Sequence, residues 1–205
     1  MNHHLIFGTP IFRYHKDPTE LRKIAEEKFE LYKGYPLNEA PEGWDCNVRT
    51  EFSTSADNNY GHFYNDIVDQ FKIDVGLLSG STQICESWLN YYSGGHNQEE
   101  HDHNPGFFSG IHYLKFNPEV HSAAHFVNPS YALYLYQFQD VDVEDESRSE
   151  YRSHHWYPDV KEGDIIIFPS WLRHMVREQK SDETRISLAF NINTIKGSTR
   201  RVFNT

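Results

Sequence analysis

The chain has 205 residues, enough for one domain with a real core. A net charge of -11 argues against a phosphate-backbone binder, so no nucleic-acid partner is expected. No apolar run is long enough to span a bilayer, and the start, MNHHLIFGTP, lacks a basic segment followed by a long apolar stretch, so no membrane partner is expected either.

Hydrophobic residues make up only 38% of the chain, and aromatics, at 15%, compensate because each buried ring removes a large area from water. Leu5 to Tyr14 reads as a short strand pair broken at Gly8-Thr9-Pro10. Asp17 then offers an N-cap and Pro18 a first helical position. From Thr19 to Tyr32 the residues Leu21, Ile24, Ala25, Phe29 and Tyr32 share one helical face; Lys28 intrudes there, and its stem is expected to pack while its charge reaches water. Tyr35 to Asn58 is loop-like, with Trp44 as an anchor. Asn59 to Phe71 reads as a second helix, with Phe63, Ile67, Val68 and Phe71 as its apolar stripe. Cys46 and Cys85 are expected as buried free thiols.

From Thr82 onward the runs become short, β-branched and aromatic. The expected strands are Ile84–Tyr92, Glu99–His103, Phe107–Phe116, Ala123–Phe126, Ala132–Phe138, His154–Tyr157, Asp164–Phe168 with Arg173–Arg177, and Arg185–Ile195. Short helices followed by many strands predict a mainly β fold, a jelly roll with N-terminal backing helices. The whole of 1–205 reads as one domain, 1–80 supplying N-terminal strands and helices and 82–196 the jelly-roll core. The acidic stretch Asp140 to Glu150 is too poor in apolar residues to bury much and reads as a solvated loop.

His101-Asp102-His103 is the sharpest local feature. In a strand, alternate side chains share a face, so His101 and His103 would point together and Asp102 away. His174, after the turn Pro169-Ser170-Trp171, is the candidate third ligand. Three protein ligands on one side of a metal leave positions open, as non-haem Fe(II) enzymes require. The usual facial triad has two histidines and a carboxylate, whereas here the third position is His103. Two sets stay open: His101, His103 and His174, or one in which Asp102 replaces His103. Glu99 is a further carboxylate on the His101 face of a regular strand. Among 13 histidines a close pair also arises by chance, and His112, His121, His125, His154 and His155 are expected in structural or solvent-facing roles.

The motifs around the pair resemble the Fe(II)/2-oxoglutarate-dependent oxygenase superfamily, and within it a bacterial and phage subgroup. They are Ser87-Trp88, Asn90 and Tyr92, Gly94-Gly95 and Asn97, then His101, His103, Asn104 and Pro105, then Ser109-Gly110 and Tyr113-Leu114. Glu162-Gly163-Asp164, Phe168-Pro169-Ser170-Trp171, His174, Glu183 to Ser187, and Phe190-Asn191 follow in the same order. The resemblance implies a double-stranded β-helix, bound Fe(II) and 2-oxoglutarate as co-substrate. It matches His101 and His174 to the histidine ligands, places His103 where most of the superfamily has an acid, and matches Arg185 to the residue pairing with the distal carboxylate of 2-oxoglutarate. A guanidinium forks onto a carboxylate with two charge-assisted hydrogen bonds, in agreement with that role. Ser187 shares the strand face of Arg185; Tyr92 and Tyr113 match hydroxyl positions near the co-substrate, and Asn90 is a further pocket candidate. Phe168, Trp171 and Phe190 are expected as core walls.

The implied reaction is hydroxylation of an unactivated C–H bond, with 2-oxoglutarate converted to succinate and CO₂. Its substrate would be a small molecule or a protein side chain. The implied location is cytoplasmic, the host cytoplasm if the protein is phage-encoded. Two rivals are a non-catalytic jelly-roll module binding Zn²⁺, and a three-histidine cupin-type dioxygenase that needs no 2-oxoglutarate.

Overall fold

The structure is a computed structural model that describes residues 8–31, 46–52, 60–77, 81–138 and 153–195. The elements run β1 (Phe12–His15), α1 (Thr19–Leu31), β2 (Arg49–Phe52), a 3-10 turn (Tyr60–Tyr64), α2 (Asn65–Asp74), β3 (Ser81–Tyr92) and β4 (Gln98–His101). Then come β5 (Phe108–Lys115), β6 (Ala124–Val127), α3 (Tyr131–Phe138), β7 (His155–Trp156), β8 (Asp164–Pro169), β9 (His174–Val176) and β10 (Arg185–Ile195). They form a six-stranded antiparallel sheet, β1-β8-β5-β10-β3-β2, and a four-stranded one, β4-β9-β6-β7. The chain is mainly β, with two sheets and few helices, as expected.

Strand alternation divides the side chains into two layers. Ile165 and Ile167 of β8 join a cluster with Leu21 and Ala25 of α1 and with Ile67, Val68 and Phe71 of α2. Ile166 and Phe168 join a second cluster with Phe126 and Val176 of the smaller sheet. Along β10, Ile186, Leu188, Phe190 and Ile192 belong to the helix-side layer. Arg185, Ser187 and Ala189 alternate with them and line a cleft between the sheets. A one-residue slip of β10 would exchange the two sets, so the helix-side packing fixes which way Arg185 points.

The Asp17 carboxylate accepts from the backbone N–H of Thr19 at 3.0 Å, capping α1 as expected. Lys28 pairs with Glu51 beneath the helix. The Glu162-Gly163-Asp164 motif is a tie point: Asp164 pairs with Arg13 and lies 3.2 Å from His15, while Glu162 pairs with Arg22. Gly163 adopts φ +84°, and a side chain there would press on the His15 ring.

Several expectations need correction. Ala132–Phe138 is not a strand; Tyr131–Phe138 is helical. The Asn128 side chain accepts from Ser130 N–H at 2.9 Å, and Pro129 between them suits a helix start, which outweighs the strand-like composition of YALYLY. The loop-like stretch contains β2, a short edge strand paired with β3. The second helix begins as the 3-10 turn and becomes α-helical only at Asn65. Trp171 is no core wall: it is 46% exposed, because it sits in the turn between β8 and β9, whereas Phe168 and Phe190 are buried. Cys46 and Cys85 form no disulfide, as expected, but are only half-buried. Leu5 to Phe7, Trp44 and Asp140 to Glu150 lie outside the described residues. Among those described, no helix is long and apolar enough to cross a membrane.

Gly110 of β5 lies against the Phe190 ring, and a Cβ there would collide with ring carbons. Gly110→Ala should therefore lower the thermal unfolding midpoint by several degrees, the usual size of an overpacking penalty in a chain of this length. An unchanged midpoint would show that Phe190 can yield.

Candidate active site

In the smaller sheet β4 and β9 are antiparallel, with His101 opposite His174. A register irregularity between Gln98 and His101 lets both line the cleft although they are three residues apart. His103 follows the strand end, so a turn, rather than strand alternation alone, brings it beside His101. Its backbone N–H donates to Ser170 O at 2.8 Å. Ser170 is held in turn: its hydroxyl lies 2.8 Å from that of Ser109, which donates to Asn191 Oδ1, and Asn191 Nδ2 donates to Glu86. Ser109, Ser170 and Asn191 thus support the His103 backbone from beneath.

His101, His103 and His174 come together with one ring nitrogen each, all within 4.8 Å of one another. His101 Nδ1–H donates to Glu99 O at 2.8 Å, and His174 Nδ1–H to Leu172 O at 3.0 Å. A carbonyl only accepts, so both rings keep the proton on Nδ1 and a lone pair on Nε2. His103 Nε2 approaches His174 Nε2 to 3.3 Å. Nitrogens this close repel unless a proton or a cation lies between them. Burial pushes His103 down to about 4 and His101 below its ordinary value, and it holds His174 well below. Three neutral imidazoles at the mouth of a cleft suit a divalent transition metal. Asp102 is not brought to the group: it is exposed, and its Oδ1 accepts from Asn104 N–H at 3.1 Å. Glu99 is outside it too.

The other end of the cleft is cationic. Arg185 is 1% exposed and lies over the rings of Tyr92 (4.4 Å), Tyr113 (5.4 Å) and Phe116 (6.0 Å). Its Nε and Nη1 have no hydrogen-bond partner among the described residues. Among the described residues no Asp or Glu lines the cleft. Burial raises Tyr92 to about 12 and also raises Tyr113, so neither phenol supplies a counter-charge at neutral pH. A buried guanidinium with unpaired N–H groups fits an incoming carboxylate. Register pairs Arg185 with Tyr92, and Ser187 with both Asn90 and Tyr113. Asn90 accepts from Thr50 at 2.8 Å, so its carbonyl is engaged and its NH₂ remains as a donor.

Gln98 and Trp88 also line the cleft; Trp88 entered the sequence reading only within the Ser87-Trp88 motif, and Gln98 not at all. Gln98 accepts from Tyr92 OH at 2.7 Å, and the Trp88 ring lies 5.4 Å from that of His103. The remaining histidines have other roles. His112 is buried between Tyr64 OH and Lys16 O, His121 binds Asn117 N–H and Glu183 O, and His125 stacks on Tyr157. His154 and His155 lie beside each other on the same edge.

The family described as "Putative 2OG-Fe(II) oxygenase" matches residues 86–191, just over half of the chain, a span that holds all of the cleft-lining residues named above. The chain belongs to this 2OG-Fe(II) oxygenase family. Its cofactor and co-substrate are accordingly Fe(II) and 2-oxoglutarate, and it is an oxidoreductase by family. Similar solved structures include a Pseudomonas putida prolyl-4-hydroxylase (14% identity, 90% of this chain and 93% of that one, TM-score 0.59). Another is EctD from S. alaskensis (17%, 90% and 73%, TM-score 0.60), and a third is HygX from Streptomyces hygroscopicus, crystallised with nickel and 2-oxoglutarate (12%, 90% and 83%, TM-score 0.55). At such identities the likeness establishes the fold, a double-stranded β-helix. None of the curated proteins matches in sequence.

The depressed histidines of this oxygenase make it acid-sensitive. His103, His112 and His125 each fall from 6.5 to about 4 on folding, because burial disfavours the charged ring. Between those values the unfolded chain binds more protons than the folded one, so the contribution is full above pH 6.5 and is lost as pH falls towards 4. Thermal unfolding of chelator-treated protein should show a midpoint that drops steadily across this window. A flat profile would contradict the burial of these rings.

Proposed function

We propose that the protein is an Fe(II)- and 2-oxoglutarate-dependent dioxygenase that hydroxylates its substrate, with His101, His103 and His174 as the metal ligands. Arg185 anchors the distal carboxylate of 2-oxoglutarate, and Ser187, Asn90, Tyr92 and Tyr113 surround it. The observation that carries this reading is the buried Arg185, whose unpartnered nitrogens share one cleft with three converging imidazoles. A Zn²⁺-binding module leaves that charge unexplained, and so does a cupin-type enzyme that takes no dicarboxylate.

When bound, Fe(II) and 2-oxoglutarate supply the oxidising power, O₂ being consumed as 2-oxoglutarate goes to succinate and CO₂. The chain's own residues orient and shield. Arg185 offers a planar fork that suits one carboxylate, and the aromatic rings beneath it keep water from the charge. The carbonyl partners of His101 and His174 hold the lone pairs inward before any ligand arrives. The Trp88 ring fixes the plane of His103 and walls the cleft beside it.

The substrate is a small molecule or a protein side chain; the prolyl-4-hydroxylase and SnoK, a carbocyclase from nogalamycin biosynthesis, are both among the similar structures. Trp171 is exposed in the turn just before His174 and would suit an apolar or planar part of either. Residues 1–205 act as one oxygenase unit, because β1 and β2 form both edges of the sheet that carries Arg185. A cytoplasmic location agrees with the need for reduced iron.

An anaerobic titration of the apo-protein with Fe(II) and then 2-oxoglutarate tests the assignment through the weak visible charge-transfer band of the iron chelate. Wild type should develop the band and His174→Ala should not. Arg185→Ala should need at least about tenfold more 2-oxoglutarate, the usual cost of losing a charge-assisted pair. Iron binding without any band in wild type would overturn the reading.

A further inference from the structure

Gln98 has no assigned role, yet it lines the cleft. It is 6% exposed, and both ends of its amide are engaged by residues already placed in the site. Its Oε1 accepts from Tyr92 OH at 2.7 Å, and its Nε2 lies 3.4 Å from His101 Nε2. The network is self-consistent. His101 carries its proton on Nδ1, facing Glu99 O, so its Nε2 is the acceptor and the amide N–H the donor. Tyr92 in turn presents its ring face to Arg185. One residue therefore links the two ends of the site: Arg185 rests on the Tyr92 ring, and Gln98 hangs from the Tyr92 hydroxyl towards His101.

This arrangement cannot persist once a cation takes the lone pair of His101. The acceptor of the Gln98 N–H is then spent, and the positive end of the amide dipole faces a cation. The Tyr92 bond still holds the carbonyl, so the two N–H groups must find another oxygen. Among the described residues no carboxylate side chain lines the cleft, and the Asn90 carbonyl already accepts one bond, from Thr50. An anion bound between Arg185 and the histidines would supply that oxygen. A buried amide donor without a partner is costly, so this exchange favours the anion.

We propose that Gln98 is a positioning residue for the co-substrate: held by Tyr92, its amide donates to an oxygen of the dicarboxylate between Arg185 and the three histidines. The assignment rests on the 2-oxoglutarate reading of the site. It makes Arg185, Tyr92 and Gln98 a continuous line of support from one end of the co-substrate towards the metal ligands. It also gives Tyr92 a task beyond lying under a guanidinium.

The test measures two affinities anaerobically, that of Co(II) alone and that of 2-oxoglutarate for the metal-loaded protein, in wild type, Gln98→Ala, Gln98→Glu and Tyr92→Phe. Gln98→Ala should weaken 2-oxoglutarate about tenfold while leaving Co(II) binding within about twofold, the loss expected of one hydrogen bond to a charged group. Gln98→Glu keeps the shape but replaces a donor by an anion, so it should tighten Co(II) and weaken 2-oxoglutarate. Tyr92→Phe releases the Gln98 carbonyl yet keeps the ring, and should weaken 2-oxoglutarate severalfold. A purely structural role would move both affinities in the same direction in Gln98→Glu and would overturn the proposal. So would wild-type 2-oxoglutarate affinity in Gln98→Ala. If wild type itself binds no 2-oxoglutarate, the functional reading fails together with the proposal. If wild type binds and Gln98→Ala binds equally, only the proposal fails.

Discussion

A guanidinium buried without an anion is the constraint on which the rest of this structure turns. Arg185 is always charged, and removing such a group from water costs several kcal/mol unless a partner repays it. Its partners among the described residues are neutral: Tyr92 and Tyr113, through their rings and hydroxyls, and the ring of Phe116. Cation–π contacts offset part of the cost but leave Nε and Nη1 unsatisfied. The fold tolerates this because β10 is held by a buried apolar layer on its other face, from Ile186 to Ile192, which leaves Arg185 no alternative direction. Packing against α1 and α2 thus sustains a charge that the protein alone does not neutralise.

The histidine end poses the complementary electrostatic problem. A two-histidine, one-carboxylate set brings one negative charge to a divalent metal. The three imidazoles here bring none, and burial keeps them neutral. Metal and Arg185 together then place a large positive charge in a cleft that no carboxylate among the described residues lines. A dicarboxylate neutralises most of it, one end against each positive centre. His103 in place of an acid is in this sense matched to an anionic co-substrate: each makes the site more dependent on the other.

Much of this was legible in the sequence, for identifiable reasons. The strand Arg185–Ile195 could be read to the residue because its alternation is regular and its ends are marked by charge and by Lys196. The three histidines could be read because two lie two apart and the third follows a strand and turn. What escaped notice depends on local backbone chemistry or on long-range pairing. The helix Tyr131–Phe138 was hidden by a strand-like composition and revealed only by the Asn128–Ser130 turn. β2 is four residues long and owes its existence to pairing with β3. Gln98 could not be placed because a register irregularity, invisible in composition, turns it to the face of His101. Asn191 stood in the sequence only as part of the Phe190-Asn191 motif; its support of His103 through Ser109 and Ser170 depends on pairing across the sheet.

The most direct test of this account is the affinity of the wild-type protein for a divalent metal, measured with and without saturating 2-oxoglutarate. Coupling between two ligands is reciprocal and is set by the free energy that each gains from the other. If Arg185 and the neutral histidines together require an anion, the metal dissociation constant should fall by at least about tenfold when 2-oxoglutarate is present. Equal constants under the two conditions would mean that metal and co-substrate do not share the cleft, and would contradict the account.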